Sequence, residues 1–209
     1  MRKWTSLGLA IAVTAMATTS VAAQQASPSW NGFYAGLNAG GMFGNTSGSF
    51  AGPAGPGGFS GAGSGFVGGA QAGYNYLLGP VLLGGEIDFQ GSTFAAGVNG
   101  GSNFGPFNTT ERMPWFSTMR ARVGYPVGTV MPYLTGGAVW GQRSIDGPIS
   151  ASANYWTWTA GGGIEGFVTE RWSMKLEYLY MGTPSTSLLP GTNETTNNNL
   201  IRVGVNYHF

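Results

Sequence analysis

The sequence predicts an all-β protein, an eight-stranded antiparallel up-and-down transmembrane β-barrel. Three observations carry that reading. Period-two alternation of apolar and polar residues runs through the chain after residue 23 and divides into eight segments. The connections between segments alternate short and long, as in a barrel with tight turns on one side of a membrane and long loops on the other. The charged residues within the segments all share the face opposite the large apolar side chains. A lipid-facing exterior demands this, because a Lys or Arg at mid-bilayer costs about 2–4 kcal/mol.

The first segment, Asn31 to Phe43, places Phe33, Ala35, Leu37 and Ala39 on one face. The second, Gly65 to Tyr76, sets Phe66, Ala70, Ala72, Tyr74 and Tyr76 against Gln71 and Asn75. The third, Val81 to Gln90, sets Val81, Leu83, Ile87 and Phe89 against Glu86, Asp88 and Gln90. In the fourth, Met113 to Tyr125, the apolar row is Trp115, Met119, Ala121, Val123 and Tyr125, opposite Thr118, Arg120 and Arg122. The fifth, Val130 to Gln142, has the weakest pattern, because Pro132 and Gly136-Gly137 blur its faces. The sixth, Tyr155 to Phe167, sets Trp156, Trp158, Ala160 and Ile164 against Thr157, Thr159 and Glu165. The seventh, Arg171 to Met181, sets Trp172, Met174, Leu176, Tyr178 and Tyr180 against Lys175 and Glu177. The eighth is the C-terminal stretch, with Ile201, Val203, Val205, Tyr207 and Phe209 opposite Arg202, Gly204, Asn206 and His208. A barrel strand crosses a bilayer in about 9–11 residues, which each segment supplies.

Leu77–Pro80, Pro126–Thr129 and Thr169–Glu170 read as tight turns. Gly44–Ser64, Gly91–Arg112, Arg143–Asn154 and Gly182–Asn198 are long and rich in Gly, Ser, Asn, Thr and Pro, and read as loops. A soluble sandwich has no reason to alternate so strictly.

Eight charges fall well inside the segments: Glu86, Asp88, Arg120, Arg122, Glu165, Lys175, Glu177 and Arg202. A lipocalin-like soluble barrel would invert the pattern, with apolar residues inside and charges outside. An eight-stranded barrel is only wide enough for its side chains to fill it. Four acids and four bases in that lumen are expected to pair, since an unpaired buried charge is expensive. Glu86 and Asp88 face Arg120 and Arg122 on the following strand, and the set reads as a plug in a polar lumen.

Met1 to Ala23 reads as a secretory signal: Arg2 and Lys3 form the basic region, Leu7 to Val13 begins the apolar region, and Val21-Ala22-Ala23 offers a cleavage point. The expected domains are therefore a leader, residues 1–23, and one barrel, residues 24–209. Without Arg2 and Lys3 the chain keeps seven basic and eight acidic residues, so it lacks the basic stripe that nucleic acid requires. Only 8% of residues are charged and 38 are glycine. Disorder is argued against by seven Trp, twelve Phe and nine Tyr. Absent cysteine excludes disulfides and thiolate metal sites.

The C-terminal row, Ile201, Val203, Val205, Tyr207 and Phe209, also resembles the signal that outer-membrane assembly machinery recognises. Several motifs run across the chain in order: Trp30-Asn31-Gly32-Phe33-Tyr34-Ala35-Gly36, Gly84-Gly85-Glu86-Ile87-Asp88-Phe89, Arg120-Ala121-Arg122-Val123-Gly124-Tyr125, Pro132-Tyr133-Leu134-Thr135-Gly136-Gly137, Lys175-Leu176-Glu177-Tyr178-Leu179-Tyr180 and the closing Val203–Phe209. Through them the chain resembles the outer-membrane β-barrel domain family of alphaproteobacteria, with its porin-like immunogenic surface proteins and hemin-binding relatives. The resemblance implies an OmpA-type barrel in the Gram-negative outer membrane, surface-exposed, often antigenic, and without shared catalytic residues.

Catalytic chemistry is sparse. The single histidine, His208, lies at the periplasmic end of the inward face, where a rim residue bonded to its neighbours is the simpler reading. Glu86 and Asp88 would suit acid–base work but are more simply ion-pair partners of the arginines opposite. The Gly57–Gly65 cluster lacks the strand-to-helix context of a phosphate loop. Metal binding is argued against by the missing Cys and His pairs, and no cofactor is expected. Hemin capture, suggested by the resemblance, would need a Tyr or Met ligand in the loops. The sequence therefore predicts a structural or surface-interaction role, in envelope integrity, antigenicity or adhesion. Uptake of a small solute or hemin is the alternative, and a lipid-modifying enzyme a more distant one. Expected partners are outer-membrane lipid and lipopolysaccharide, the assembly machinery, and host or surface ligands reached by the long loops.

Overall fold

The computed structural model describes residues 29–52, 55–102, 105–146, 150–183 and 192–209. The expected leader, Met1 to Ala23, lies outside them. Eight antiparallel strands follow one another: β1 (Gly32–Gly52), β2 (Gly55–Leu78), β3 (Val81–Ser102), β4 (Gly105–Gly124), β5 (Val130–Asp146), β6 (Ala151–Phe167), β7 (Trp172–Met181) and β8 (Thr192–His208). Each pairs with its sequence neighbours, and β8 closes on β1 along a ladder from Tyr34↔His208 to Phe50↔Thr192. Closure leaves every strand within the membrane paired on both edges, which a hydrocarbon solvent requires.

The three predicted turns are present. Leu78 and Val81 are joined through Gly79-Pro80, and Gly79 carries a φ of 60° at the first central position, which a type II′ turn reserves for glycine. The β4–β5 turn is closed by reciprocal bonds between Val127 and Val130. The β6–β7 turn runs from Val168 to Arg171, so β7 begins at Trp172, one residue later than the alternation indicates.

The predicted long loops are mostly strand. Gly44–Ser64 belongs almost entirely to β1 and β2, which stay in register from Gly32↔Asn75 to Gly52↔Gly55. Gly91–Arg112 likewise belongs to β3 and β4, and Arg143–Asn154 largely to β5 and β6. Within Gly182–Asn198, β8 begins at Thr192. Glycine and serine have little strand propensity. These hairpins are held by ladders to strands on either side, which no single-segment reading detects. The same cause makes β5 regular: Pro132 sits opposite Ile164 near the turn, and Gly136-Gly137 pair with Ala160 and Thr159.

Two register shifts interrupt the ladders, one between Gly91 and Phe94 on β3, where alternation is kept, and one between Arg112 and Trp115 on β4, where it is not. Such irregularities re-aim side chains. On β4 the inward set changes from Glu111 and Met113 to Phe116, Thr118, Arg120 and Arg122.

The outer face is apolar and exposed, with Leu37, Ile87, Met119, Leu134, Leu176 and Val203 among its members. Two aromatic belts bound it. Phe33, Tyr74, Tyr125, Trp172, Tyr207 and Phe209 lie at the end of the short turns. Phe43, Phe66, Phe89, Trp115, Trp140, Trp156, Trp158 and Tyr180 lie toward the long hairpins. Between Trp172 and Tyr180 a strand rising about 3.3 Å per residue spans about 20 Å at barrel tilt, close to a transmembrane apolar band. So large an exposed apolar surface has lipid as its solvent.

Candidate functional site

The lumen is built in four layers. At the end of the short turns, Trp30 is folded under the barrel. Its Nε1 donates to the Gly128 carbonyl at 3.2 Å, and its ring meets Phe167 with centroids 4.4 Å apart. Leu82, Met131 and Tyr133 pack against it. Above it His208 stacks on Tyr34, centroids 5.6 Å apart, with Nε2 2.9 Å from Ser173 Oγ.

The second layer holds all eight segment charges, every one buried. Glu86 receives Lys175 Nζ at 2.9 and 2.8 Å on its two oxygens, Tyr34 Oη at 2.7 Å and Arg120 Nη2. Gly73 makes the Tyr34 contact possible, since a Cβ there would overlap the phenol. Arg120 also reaches Asp88 and Glu177, each at 3.0 Å. Arg202 binds Glu177 at 2.7 Å and Asp88 at 2.9 Å. Asp88 further accepts from Thr118 at 2.8 Å, and Glu177 from Tyr133 at 2.9 Å. Four cations thus face four carboxylates, and buried charge needs that balance together with supporting hydrogen bonds.

One expected pairing is present but loose. Arg122 lies 3.9 Å from Glu86, and its close carboxylate is Glu165, across the lumen on β6, at 2.9 Å. Gly84, not Glu86, stands opposite Arg122 in the β3–β4 register. The guanidinium sits between the rings of Tyr34 and Tyr133, at 4.8 and 5.2 Å from their centroids, and its Nε donates to Asn75 at 2.9 Å. Glu165 is completed by Ser173 at 2.5 Å and Asn206 at 2.7 Å.

The third layer corrects the expectation of a polar lumen. Met42, Val67, Phe94, Met113, Phe116, Val139, Leu179, Met181 and Leu200 point inward and are buried as one apolar cluster. A layer of this kind excludes water from the charges beneath it. The fourth layer, toward the hairpins, is polar. Arg143 Nε donates to Glu111 at 2.7 Å, and its Nη2 meets Glu194. Thr196 Oγ1 gives Glu194 a further bond at 2.9 Å. This triad was missed in the sequence because all three residues lie in stretches that read as loop. Continued alternation would have found Arg143 and Glu194, but the β4 irregularity hides Glu111.

Ser173, His208 and Glu165 lie together, but all three are buried, and the serine proton is directed to Glu165. That arrangement does not leave a hydroxyl activated by the imidazole. Among the described residues no three His, Cys, Asp or Glu side chains form a metal-binding group. The C-terminal row lies on the outer face, with Ile201, Val203 and Val205 exposed and Phe209 77% exposed. The Phe209 amide bonds to the Phe33 carbonyl at 3.0 Å across the seam, and its ring meets Tyr207 at 5.3 Å.

A closed antiparallel barrel with an apolar girdled exterior and an ionic interior defines an integral β-barrel protein of the Gram-negative outer membrane. This chain belongs to the outer membrane protein beta-barrel domain family, whose profile matches residues 10–209. It is 33% identical over 233 aligned positions to the 31 kDa outer-membrane immunogenic protein of Brucella melitensis, covering 98% of this chain and 97% of that one. It is 32% identical over 147 positions to the 25 kDa outer-membrane immunogenic protein of Brucella canis, covering 68% and 64%. Among solved structures, Neisserial surface protein A superposes with a TM-score of 0.50 at 14% identity, covering 85% of this chain and 97% of that one. At that identity the likeness speaks for the fold alone.

Proposed function

We propose that this barrel is a closed, non-enzymatic surface protein that braces the outer membrane and acts through the hairpins it presents outside the cell. One observation carries the reading: the lumen is filled along its length, by an aromatic floor, an ionic layer, an apolar layer and a second polar layer. With the lumen filled by the described residues, interaction falls to the outer surface. The Brucella relatives are named immunogenic outer-membrane proteins, which supports exposure to a host and an antigenic or adhesive role. On this reading the leader directs export and is removed after Ala23. Assembly machinery reads the C-terminal row, outer-leaflet lipid and lipopolysaccharide surround the Trp-rich belt, and host or surface ligands meet the hairpins.

Planar-bilayer recording of the purified barrel tests the proposal. No discrete conductance steps are expected, and hemin added to the same protein should leave its Soret band unshifted. Regular single-channel openings would replace the surface role with uptake.

A further inference from the structure

The lipid-facing wall is not evenly filled. On the outer face of β1, β2 and β3 three small residues stand together: Ala35 lies opposite Ala72, and Gly85 lies opposite Tyr74, the next outward residue of β2. They floor a groove of about 610 Å³. Phe33, Tyr74, Ile87 and Met119 wall it, with Phe209 at one end. A Cβ added at Gly85 would meet nothing within 4 Å, so the space above this glycine is open. Glu86 and Arg120 border the wall from behind, but their side chains are buried in the lumen and lend the groove no exposed charge.

The groove begins at Phe209 and Phe33, in the aromatic belt of the short-turn end, and reaches Met119 on β4, six residues from Tyr125 and four from Trp115. Those two residues belong to opposite belts, so the far end lies near the middle of the apolar band. A path from one interface to mid-membrane matches a single lipid leaflet, half of an apolar band about 25 Å tall. A cation stands at the interfacial end. Arg171 is exposed, its Nη1 donates to Tyr207 Oη at 2.9 Å, and the Tyr207 and Phe209 rings lie 5.3 Å apart. Arg171 makes no salt bridge among the described residues. A guanidinium fork is suited to phosphate, and Tyr207, whose oxygen accepts from Arg171, keeps its own proton to donate. An apolar protein surface would leave this cation unused, whereas a phospholipid supplies both a chain and an anion. We propose that the groove holds one acyl chain of a glycerophospholipid from the leaflet at the short-turn end, with the lipid phosphate bound by Arg171 and Tyr207. The site goes beyond the surface role and does not depend on it. It fastens an individual lipid beside the β8–β1 seam, where the barrel closes.

Native mass spectrometry of the full barrel in detergent, titrated with palmitoyl-oleoyl phosphatidylglycerol and, separately, the matching phosphatidylethanolamine, tests this. One lipid per barrel should stay bound under activation that strips the rest. Arg171→Gln should weaken that binding about tenfold, the size of one lost hydrogen bond to a charged group. Gly85→Trp, which fills the groove from an open position, should weaken it at least as much. Dioleoylglycerol, which has the chains but no phosphate, should respond to Gly85→Trp and not to Arg171→Gln. Leu134→Trp, on the exposed lipid face of β5, should change nothing. Gel heat-modifiability identifies a variant that fails to fold, and Gly85→Leu then replaces Gly85→Trp. Absence of a one-to-one complex with either phospholipid overturns the proposal. So does phospholipid binding that Arg171→Gln or the Gly85 variant leaves unchanged, dioleoylglycerol binding that Arg171→Gln weakens, or equal weakening by Leu134→Trp. A barrel dimer that the Gly85 variant dissociates overturns it as well, since a second copy would then fill the groove.

Discussion

Arg120→Met removes a side chain that touches three carboxylates at once. Its guanidinium is fully buried against Glu86, Asp88 and Glu177. Methionine is flexible enough to fill the space of the arginine stem, so the loss is mainly of charge. Three lumen cations would then face four carboxylates, with Asp88 left to Arg202 alone and Glu86 chiefly to Lys175. Removing one partner of a buried ion pair costs about 3–5 kcal/mol. The contacts of Lys175 and Arg202 hold the cost within that range although three acids are affected. Urea unfolding of the detergent-solubilised barrel, followed by tryptophan fluorescence, should show this loss. Gel heat-modifiability should show a lower midpoint. The double variant Asp88→Asn/Arg120→Met restores charge balance, and the two sites are in contact, so their effects should not add. It should be more stable than Arg120→Met by about half the original loss or more, if most of that loss is the orphaned charge. A single-variant loss below about 1 kcal/mol, the range of solvated pairs, would refute the reasoning. So would a double variant no more stable than the single. Either would mean a hydrated lumen with independent charges, which suits a pore.

Deleting Phe209 should sharply lower the outer-membrane level and leave precursor in the periplasm. His208→Ala disturbs the inner aromatic floor and the Ser173 contact but leaves the outer row untouched, and should assemble normally. Normal accumulation of the deletion, seen by immunoblot of membrane fractions, would remove the C-terminal row from assembly. Because the chain has no cysteine, Ser49→Cys and Arg171→Cys can be labelled with an impermeant maleimide on intact cells. Only Ser49→Cys should react, and the opposite result would invert the orientation. Phe116→Ala opens a cavity in the apolar layer and should cost about 3–5 kcal/mol, read from the same urea titration. An unchanged midpoint would show that the layer is loosely packed.

Sequence alone determined which way side chains face. Successive residues of a strand point to opposite sides, so a row such as Trp172, Met174, Leu176 and Tyr178 assigns lipid to one face, and Lys175 and Glu177 assign the lumen to the other. It likewise placed the tight turns, because Gly79-Pro80 carries its own backbone geometry. Tertiary structure alone decided who meets whom. Arg122 passes over its neighbouring strand to Glu165 because the register sets Gly84 opposite it and the lumen is narrow enough to cross. Length above the membrane was also decided there. Strand extensions such as residues 55–64 of β2 have too little side-chain signal to announce themselves, and they persist because the adjacent ladders satisfy their backbones. The polar layer toward the long hairpins needed both effects together. Arg143 and Glu194 are brought together from 51 residues apart, and an irregularity in β4 turns Glu111 inward to join them. Period and turn chemistry are local and can be read along a chain, whereas register and closure exist only once the eighth strand has met the first.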